Sequence, residues 1–306
     1  MNKVQKIVPW IAILLAVAYL GAGFFVGKQS GAMDFNAFGR IPVSAQGRTK
    51  PLDSFARNSM MVMSGRQTVT ADGRQQPAIE WLADVLARPE IAATREVFRI
   101  DHPDVVALLG LDRGAEATRK RFTFQEVSAK GEEIFRQADL AGMVPSKKQD
   151  PFQRQIVNLK DKLLTYVSIN HMESPYAVAP LAPGEEWRPM VAALSSPAGG
   201  GHPSVEAFRS ILTAYSKGEA AVFNDQVARY LELVAGRLPD ESRRAGYEVG
   251  FNRFQPFYRA SAMYVFAFLL ASIGFLLGCL AKGGWAKSLG RATVGVLSVT
   301  LLVHTV

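Results

Sequence analysis

The chain is poor in cysteine, and this scarcity excludes several classes of protein. Its 306 residues include one cysteine, Cys279, so no disulfide bond can form within the chain. A single cysteine also excludes the C-x-x-C motif of redox and zinc sites and the C-x-x-C-H motif that attaches haem covalently. The protein is therefore not itself a c-type cytochrome, and we assign it no metal site and no catalytic residue.

The chain also lacks the basic stripe and the aromatic stacking motifs that are typical of nucleic-acid-binding proteins. Lysine and arginine outnumber aspartate and glutamate by 35 to 27, which gives a formal net charge of +8. These cations are scattered, so we attribute them to general surface charge and to the flanks of membrane segments. No nucleic-acid partner is expected.

Long uncharged runs lie at the two ends of the chain, around a hydrophilic middle. Residues 7–27 form the first run, and a helix that rises about 1.5 Å per residue would cross a bilayer over that length. The run lacks a small-x-small cleavage site at its end, so we interpret it as a signal anchor and not as a cleaved signal peptide. Residues 260–281 form a second run of spanning length.

A third uncharged run occupies residues 292–306 and is too short for a full crossing. We interpret it as the start of a third membrane helix, and the chain as the N-terminal part of a longer polytopic protein. The cations that flank the membrane runs are Lys3, Lys6, Lys282, Lys287 and Arg291. By the positive-inside rule, residues 1–6 and 282–291 are cytoplasmic, and residues 28–259 form a domain on the periplasmic side of the inner membrane.

The middle region is predicted to be mainly α. Its first stretch extends to a turn at Gly47 and then begins a helix, in which Thr49 is expected to cap and Pro51 suits the first turn. Gly65 is the predicted stop of this helix. Strands are predicted at residues 97–100 and 122–124. Further helices are predicted at residues 76–86, 105–109, 125–138, 152–171, 205–215 and 220–235. The fold class is thus a mainly α polytopic membrane protein with a mostly helical extracytoplasmic domain between its first two membrane helices.

Two groups of residues are candidates for function. His304 lies in the third apolar run, where an ionisable side chain is a functional candidate; its imidazole either ligates haem iron or makes a hydrogen bond across helices. Arg48, Lys50 and Arg57 follow the first membrane segment and are candidates for a surface that pairs with carboxylates, although a solvated helix start explains them equally well.

Two alternatives from other classes stay open. Ser44 and Ser54 beside Lys50 are compatible with a Ser/Lys hydrolase, in which a desolvated lysine activates a serine. The other alternative is a membrane-anchored sensor or scaffold whose middle domain binds a ligand or a partner.

Several motifs of the chain resemble one family of membrane proteins. The motifs are Ile41-Pro42-Val43, Gly47-Arg48, Lys50-Pro51-Leu52-Asp53-Ser54-Phe55-Ala56-Arg57, Ser64-Gly65-Arg66, Trp81-Leu82, residues 97–103 and 109–111, and residues 252–259. Together they resemble the extracytoplasmic N-terminal region of cytochrome c biogenesis proteins of the CcsA/ResC type, which belong to the second maturation system. The resemblance covers most of the chain.

The resemblance implies a role in cytochrome c assembly, in which haem is presented for covalent attachment to apocytochrome c. It implies haem as cofactor, and apocytochrome c and a ResB/CcsB-type membrane subunit as partners. The family's tryptophan-rich haem platform is absent from this sequence, so the resemblance assigns no enzymatic step to this chain. His304 lies where the first helix of the family's haem-handling core begins, and Arg48, Lys50 and Arg57 are the residues that would face haem propionates or a partner subunit.

Overall fold

The structure is built mainly of helices, which make up 72% of it, and the expected mainly α class is confirmed. The computed structural model describes residues 2–25, 31–111, 118–180, 185–195, 201–280 and 282–305. The chain divides into two compact units. One unit comprises Met1–Ser30 together with Gly250–Val306, and the other comprises Gly31–Val249.

The elements of the described residues are numbered in chain order. The helices are α1 (Lys3–Phe25), α2 (Phe35–Gly39), α3 (Leu52–Ser64), α4 (Ala78–Ala87), α5 (Pro89–Ala92), α6 (Pro103–Leu108), α7 (Phe124–Ser128), α8 (Gly131–Gly142), α9 (Pro151–Asn170), α10 (Met190–Ser195), α11 (Pro203–Lys217), α12 (Ala220–Arg237), α13 (Pro239–Phe254), α14 (Pro256–Cys279) and α15 (Gly283–His304). The strands are β1 (Pro42–Ala45), β2 (Arg48–Pro51), β3 (Thr68–Ala71), β4 (Arg74–Pro77), β5 (Glu96–Arg99) and β6 (Arg121–Thr123).

The first unit contains three helices, α1, α14 and α15, that are long and apolar enough to cross a membrane. Its small core consists of Ala12, Ala16, Leu20, Met263, Ala267, Ala292 and Val296. In each helix at most 33% of the most apolar window is buried. Because so large an exposed apolar surface is unfavourable in water, these helices indicate a membrane-associated protein.

Helix α15 begins at Gly283, upstream of the uncharged run that predicted a third membrane helix. It therefore includes Lys287 and Arg291, and the prediction that these cations lie in a loop is wrong. The residues between Gly284 and Ala292 include good helix formers and no proline, so nothing interrupts the helix there. With this extra length α15 is itself a candidate membrane-spanning helix.

In the second unit, the short helix α2 is followed by a β-hairpin in which β1 pairs antiparallel with β2. Gln46 and Gly47 join the strands, and both have positive φ, 55° and 77°, as a type I′ turn requires. The predicted turn at Gly47 is confirmed, but the prediction that Thr49 caps a helix is wrong, because Thr49 pairs with Ser44 in the ladder. Helix α3 starts only after Pro51, without a side-chain cap, and ends as predicted at Gly65, whose φ is 69°.

Two further antiparallel strand pairs, β3–β4 and β5–β6, lie in the described part of this unit. Both predicted strands are confirmed as β5 and β6, which pair through Phe98 and Phe122. The β3–β4 hairpin was not predicted, although its turn, Asp72-Gly73, is a strong hairpin signal in which both residues have positive φ.

The helix predicted at residues 125–138 is two helices, α7 and α8, with a break at residues 129–130.

The core of the second unit is centred on four aromatic side chains from four different elements. Tyr166 of α9 stacks on Phe124 of α7, with ring centroids 4.3 Å apart, and lies 5.6 Å from Phe98 of β5. Trp81 of α4 packs against the same tyrosine at 6.4 Å. Burying side chains of this size contributes about 2–3 kcal/mol each to stability, so the cluster joins elements that are distant in sequence.

A buried carboxylate, Asp84 of α4, holds a second set of elements together. Asp84 is 3% exposed. Its two carboxylate oxygens accept hydrogen bonds from Gln76 Nε2 and from the Tyr215 hydroxyl, each at 2.6 Å. The Arg88 guanidinium lies 4.3 Å from the centre of the Tyr215 ring and donates to the Tyr215 carbonyl. Burial, together with the charge of Asp84, raises the pKa of Tyr215. The network therefore joins β4, α4 and α11 through the donors Gln76, Tyr215 and Arg88.

We expect Tyr215→Phe to lower the free energy of unfolding by about 1.5–3 kcal/mol, because it removes a buried hydrogen bond to a charged group. Thermal or denaturant unfolding of the detergent-solubilised chain measures this loss. The matched control is Tyr247→Phe, at a tyrosine that is 73% exposed, and it should change stability by less than about 0.5 kcal/mol. Equal stabilities of the two variants would contradict a role for Asp84 as a structural anchor.

Candidate functional site

The β1–β2 hairpin brings two of the candidate cations together on one side of strand β2. Side chains alternate along a strand, so Arg48 and Lys50 lie on the same face. The Arg48 side chain is 55% exposed and makes a bidentate pair with Glu248 of α13, in which Nη1 donates to Oε2 and Nη2 to Oε1, both at 3.0 Å. Lys50 is only 4% exposed. The hairpin thus presents one paired guanidinium and one buried ammonium.

Glu248 is ionised next to these cations. Its burial alone would raise the pKa of the carboxyl, but hydrogen bonds from Arg48 and Ser54, and the charges of Arg48 and Lys50, hold that pKa below its usual value. The hydrogen bond to Glu248 likewise raises the pKa of Arg48. The two groups therefore neutralise each other, and the positive charge of Lys50 is left over at this site.

The Lys50 ammonium has little compensation for its burial. Its one hydrogen bond among the described residues goes to Gln46 Oε1 at 3.3 Å. Burial lowers the pKa of Lys50, the Arg48 charge lowers it further, and Glu248 only partly opposes both effects. A second buried lysine differs, because Lys162 donates to the Arg99 carbonyl at 2.8 Å; burial lowers its pKa to about 8. Lys50 is thus the buried cation with the weaker partner.

A cavity of about 380 Å³ lies beside Lys50, and we call it the Lys50 cavity. Its lining comes from the hairpin, from α3, from α9 and from the loop after α9. The lining residues are Gln46, Lys50, Phe55, Asn58, Ser59, Val62, Leu164, Thr165, Ser168 and Ser174. The four α3 residues recur at the spacing i, i+3, i+4 and i+7, so they form one face of that helix. The cavity therefore has an ammonium at one point, hydroxyl and amide groups around it, and an apolar wall.

The third candidate cation, Arg57, lies on another face of α3. Its Nε donates to Asp53 at 2.8 Å, and its Nη1 donates to Gln67 at 3.0 Å. The structure thus brings Arg48 and Lys50 together and leaves Arg57 paired elsewhere. It stays a prediction that Arg48, Lys50 and Arg57 face haem propionates or a partner subunit.

The Ser/Lys hydrolase arrangement is not found in the described part of the chain. Ser54 bonds Glu248, and Ser44 pairs with Thr49 in the ladder, with its backbone also bonded to Tyr176. Neither serine lines the Lys50 cavity or bonds the Lys50 ammonium. Because a nucleophile and its base must lie within hydrogen-bond reach, this geometry does not favour that alternative.

The fourth candidate, His304, lies in the last turn of α15 in the other unit. Its Nδ1 is 3.0 Å from the Tyr264 hydroxyl, and the rings of Tyr264 and Phe257 meet the imidazole edge to face, each at 5.8 Å. No described residue bonds Nε2. The tautomer that ligates a metal through Nε2 carries its proton on Nδ1 and donates it to a partner, so Tyr264 is placed to orient such a ligand.

Several of these residues have no signal in the sequence. Glu248 lies 200 positions from Arg48, and Ser168 lies more than a hundred positions from Ser59, so only the fold brings each pair to one site. Tyr264 is one aromatic residue in an apolar run, where nothing distinguishes it from an interface anchor. Within the described residues, no group of three or more histidine, cysteine, aspartate or glutamate side chains is placed to hold a metal ion.

Comparison with models of protein families found no match for the chain, and comparison with curated proteins found none either. The resemblance to cytochrome c biogenesis proteins therefore rests on the motifs of this sequence.

Lys50→Met should raise the free energy of unfolding by about 1 kcal/mol or more at pH 7, because methionine fills the same space without a buried charge. Since the native pKa of Lys50 is below the ordinary 10.5, the native state loses this proton at lower pH than the unfolded chain does. Wild-type stability therefore rises relative to the variant as pH increases toward 10.5.

Unfolding temperatures of the two proteins, compared at neutral and at alkaline pH, measure this difference. Lys217→Met, at an exposed position, is the control and should give no such trend. A destabilised Lys50→Met, or a difference that does not change with pH, would show that the ammonium is well compensated.

Proposed function

We propose that this chain takes part in cytochrome c assembly, where it helps to deliver and present haem for attachment to apocytochrome c at the outer face of the membrane. The observation that carries the proposal is His304 near the end of a candidate membrane-spanning helix, with Nδ1 next to the Tyr264 hydroxyl. Ionisable residues are costly in membrane segments and are typically functional there. The motifs shared with CcsA/ResC-type proteins support the same role.

The proposed arrangement in the membrane follows from charge. Helices α1, α14 and α15 would anchor the chain in the inner membrane. Lys3, Lys6, Lys282 and the two cations near the start of α15, Lys287 and Arg291, would then lie on the cytoplasmic side. The unit Gly31–Val249 would then be periplasmic, where apocytochrome c is matured. The end of α15 that carries His304 would lie at the outer face. A ResB/CcsB-type membrane subunit is the proposed partner.

His304 would serve as a ligand of haem iron, and the residues around it would support that role. Tyr264 would fix the ring orientation and the tautomer, which raises the basicity of the ligating nitrogen. Phe257 and Tyr264 pack their rings against the imidazole and restrict its rotation. Haem, when bound, supplies the porphyrin that becomes attached to cysteines of the apocytochrome. The contribution of this chain is to hold and orient that group.

A membrane-anchored sensor or scaffold is the second candidate function. One observation favours it, because the Lys50 cavity lies in the unit Gly31–Val249 and has the volume and lining of a small-molecule site. A sensor requires such a site outside the membrane segments. The two candidates differ in the position at which a ligand binds.

Titration of the purified full chain with hemin should give a saturable change in visible absorption. We expect His304→Ala to weaken the apparent affinity by at least about tenfold, and Tyr264→Phe to weaken it by about tenfold through the orientation of the ring. His171→Ala, at an exposed histidine after α9, is the matched control and should leave binding unchanged. Hemin binding that is equal in wild type and His304→Ala would exclude the proposed ligand.

The cellular consequence is tested by the yield of covalent c-type haem in cells that carry each variant. His304→Ala should lower this yield while the amount of the protein itself, measured by immunoblot, stays constant. His171→Ala should behave as wild type. A normal cytochrome yield in the absence of the whole protein would refute a role in assembly and leave the sensor as the better account.

A further inference from the structure

We propose that the Lys50 cavity is a binding site for a small organic monocarboxylate. The inference goes beyond the proposed haem role and does not depend on it, because the cavity and His304 belong to different units of the chain.

The Lys50 ammonium has hydrogen-bond donors that no described residue satisfies. An ammonium has three N–H donors, and the described residues supply one acceptor, Gln46 Oε1, at the long distance of 3.3 Å. The residue is 4% exposed, so bulk water does not surround it. Buried charges in proteins are normally paired. The other buried lysine, Lys162, has a closer acceptor, a backbone carbonyl at 2.8 Å. A ligand oxygen would supply what Lys50 lacks.

The residues around the Lys50 cavity carry a net positive charge. Arg48 and Glu248 cancel each other in a bidentate pair, which leaves one positive charge, on Lys50, at the edge of the cavity. One negative charge balances it. A carboxylate meets this need, because it carries a single charge and accepts hydrogen bonds at both oxygens. A doubly charged phosphate would bring a second negative charge close to Glu248.

The rest of the cavity lining offers both hydroxyl groups and an apolar surface. The hydroxyls of Ser59, Ser168 and Ser174 make no hydrogen bond with another described residue, and they are available to a second polar group of the ligand. Phe55, Val62 and Leu164 form the apolar wall; they suit a short hydrocarbon or aromatic body. A volume of about 380 Å³ lies near the lower end of the range for small-molecule sites, so it suits a small acid.

The test uses the full chain in detergent micelles, titrated with benzoate and with butyrate. Benzamide and butyramide are the neutral isosteres of these probes. We expect each carboxylate to bind and to raise the unfolding temperature, since a ligand that binds only the native state stabilises it. Each amide should bind about thirtyfold more weakly or worse, because it leaves the ammonium unpaired.

Two variants locate the binding. Lys50→Met should lower carboxylate affinity by about thirtyfold or more. Ser168→Leu keeps the lysine but fills part of the cavity, and it should also abolish binding. Lys217→Met removes a cation of the same type at an exposed position and should bind as wild type.

Each result decides the proposal. It is supported if carboxylates bind wild type and Lys217→Met but neither cavity variant. It is overturned if the amides bind as tightly as the acids, if Lys50→Met and Ser168→Leu bind as wild type, or if neither carboxylate binds wild type. A loss of hemin binding by His304→Ala leaves all of these outcomes unchanged, so the two proposals fail separately.

Discussion

The two-residue turn at Gln46-Gly47 is the constraint on which the proposed carboxylate site depends. Both residues have positive φ, and this turn geometry matches the twist of the strands, so that β2 returns antiparallel to β1. The pairing of β2 with β1 fixes the face on which Arg48 and Lys50 lie. Because residues up to Pro51 belong to β2, helix α3 begins only at Leu52. A turn that costs little with glycine thus decides where a cation is buried and which residues of α3 form the cavity wall beside it.

Two ionisable side chains in the same unit, Asp84 and Lys50, are buried to a similar degree but differ in their hydrogen-bond partners. Asp84 is almost fully enclosed but receives hydrogen bonds from Gln76 and Tyr215, so its carboxylate links the elements around it. Lys50 is enclosed to a similar degree and has one long hydrogen bond. Because proteins tolerate uncompensated groups mainly where a function needs them, Lys50 is the position at which a ligand is expected.

The membrane unit is organised by a different rule. In hydrocarbon the backbone must satisfy its own hydrogen bonds, so continuous helices are the available structure and sequence alone indicates them. The core between them is small, and four of its seven buried residues are alanine, which lets helices approach closely. At Gly274 an added Cβ would lie only 3.2 Å from the Leu289 Cβ. Near the end of α15, the polar side chains of His304 and Tyr264 lie within hydrogen-bond distance of each other.

The sequence by itself determined what is local or periodic. Apolar spacing predicted helices such as α3 and α9, a glycine after the last turn predicted the end of α3, and long uncharged runs predicted membrane helices. Only the tertiary structure decided that Thr49 lies in a strand, that Glu248 pairs with Arg48, and that Ser59 and Ser168 share a cavity. The physical reason is that such contacts depend on where the backbone returns in space, and pairing across a hundred or more positions leaves no local pattern in the chain.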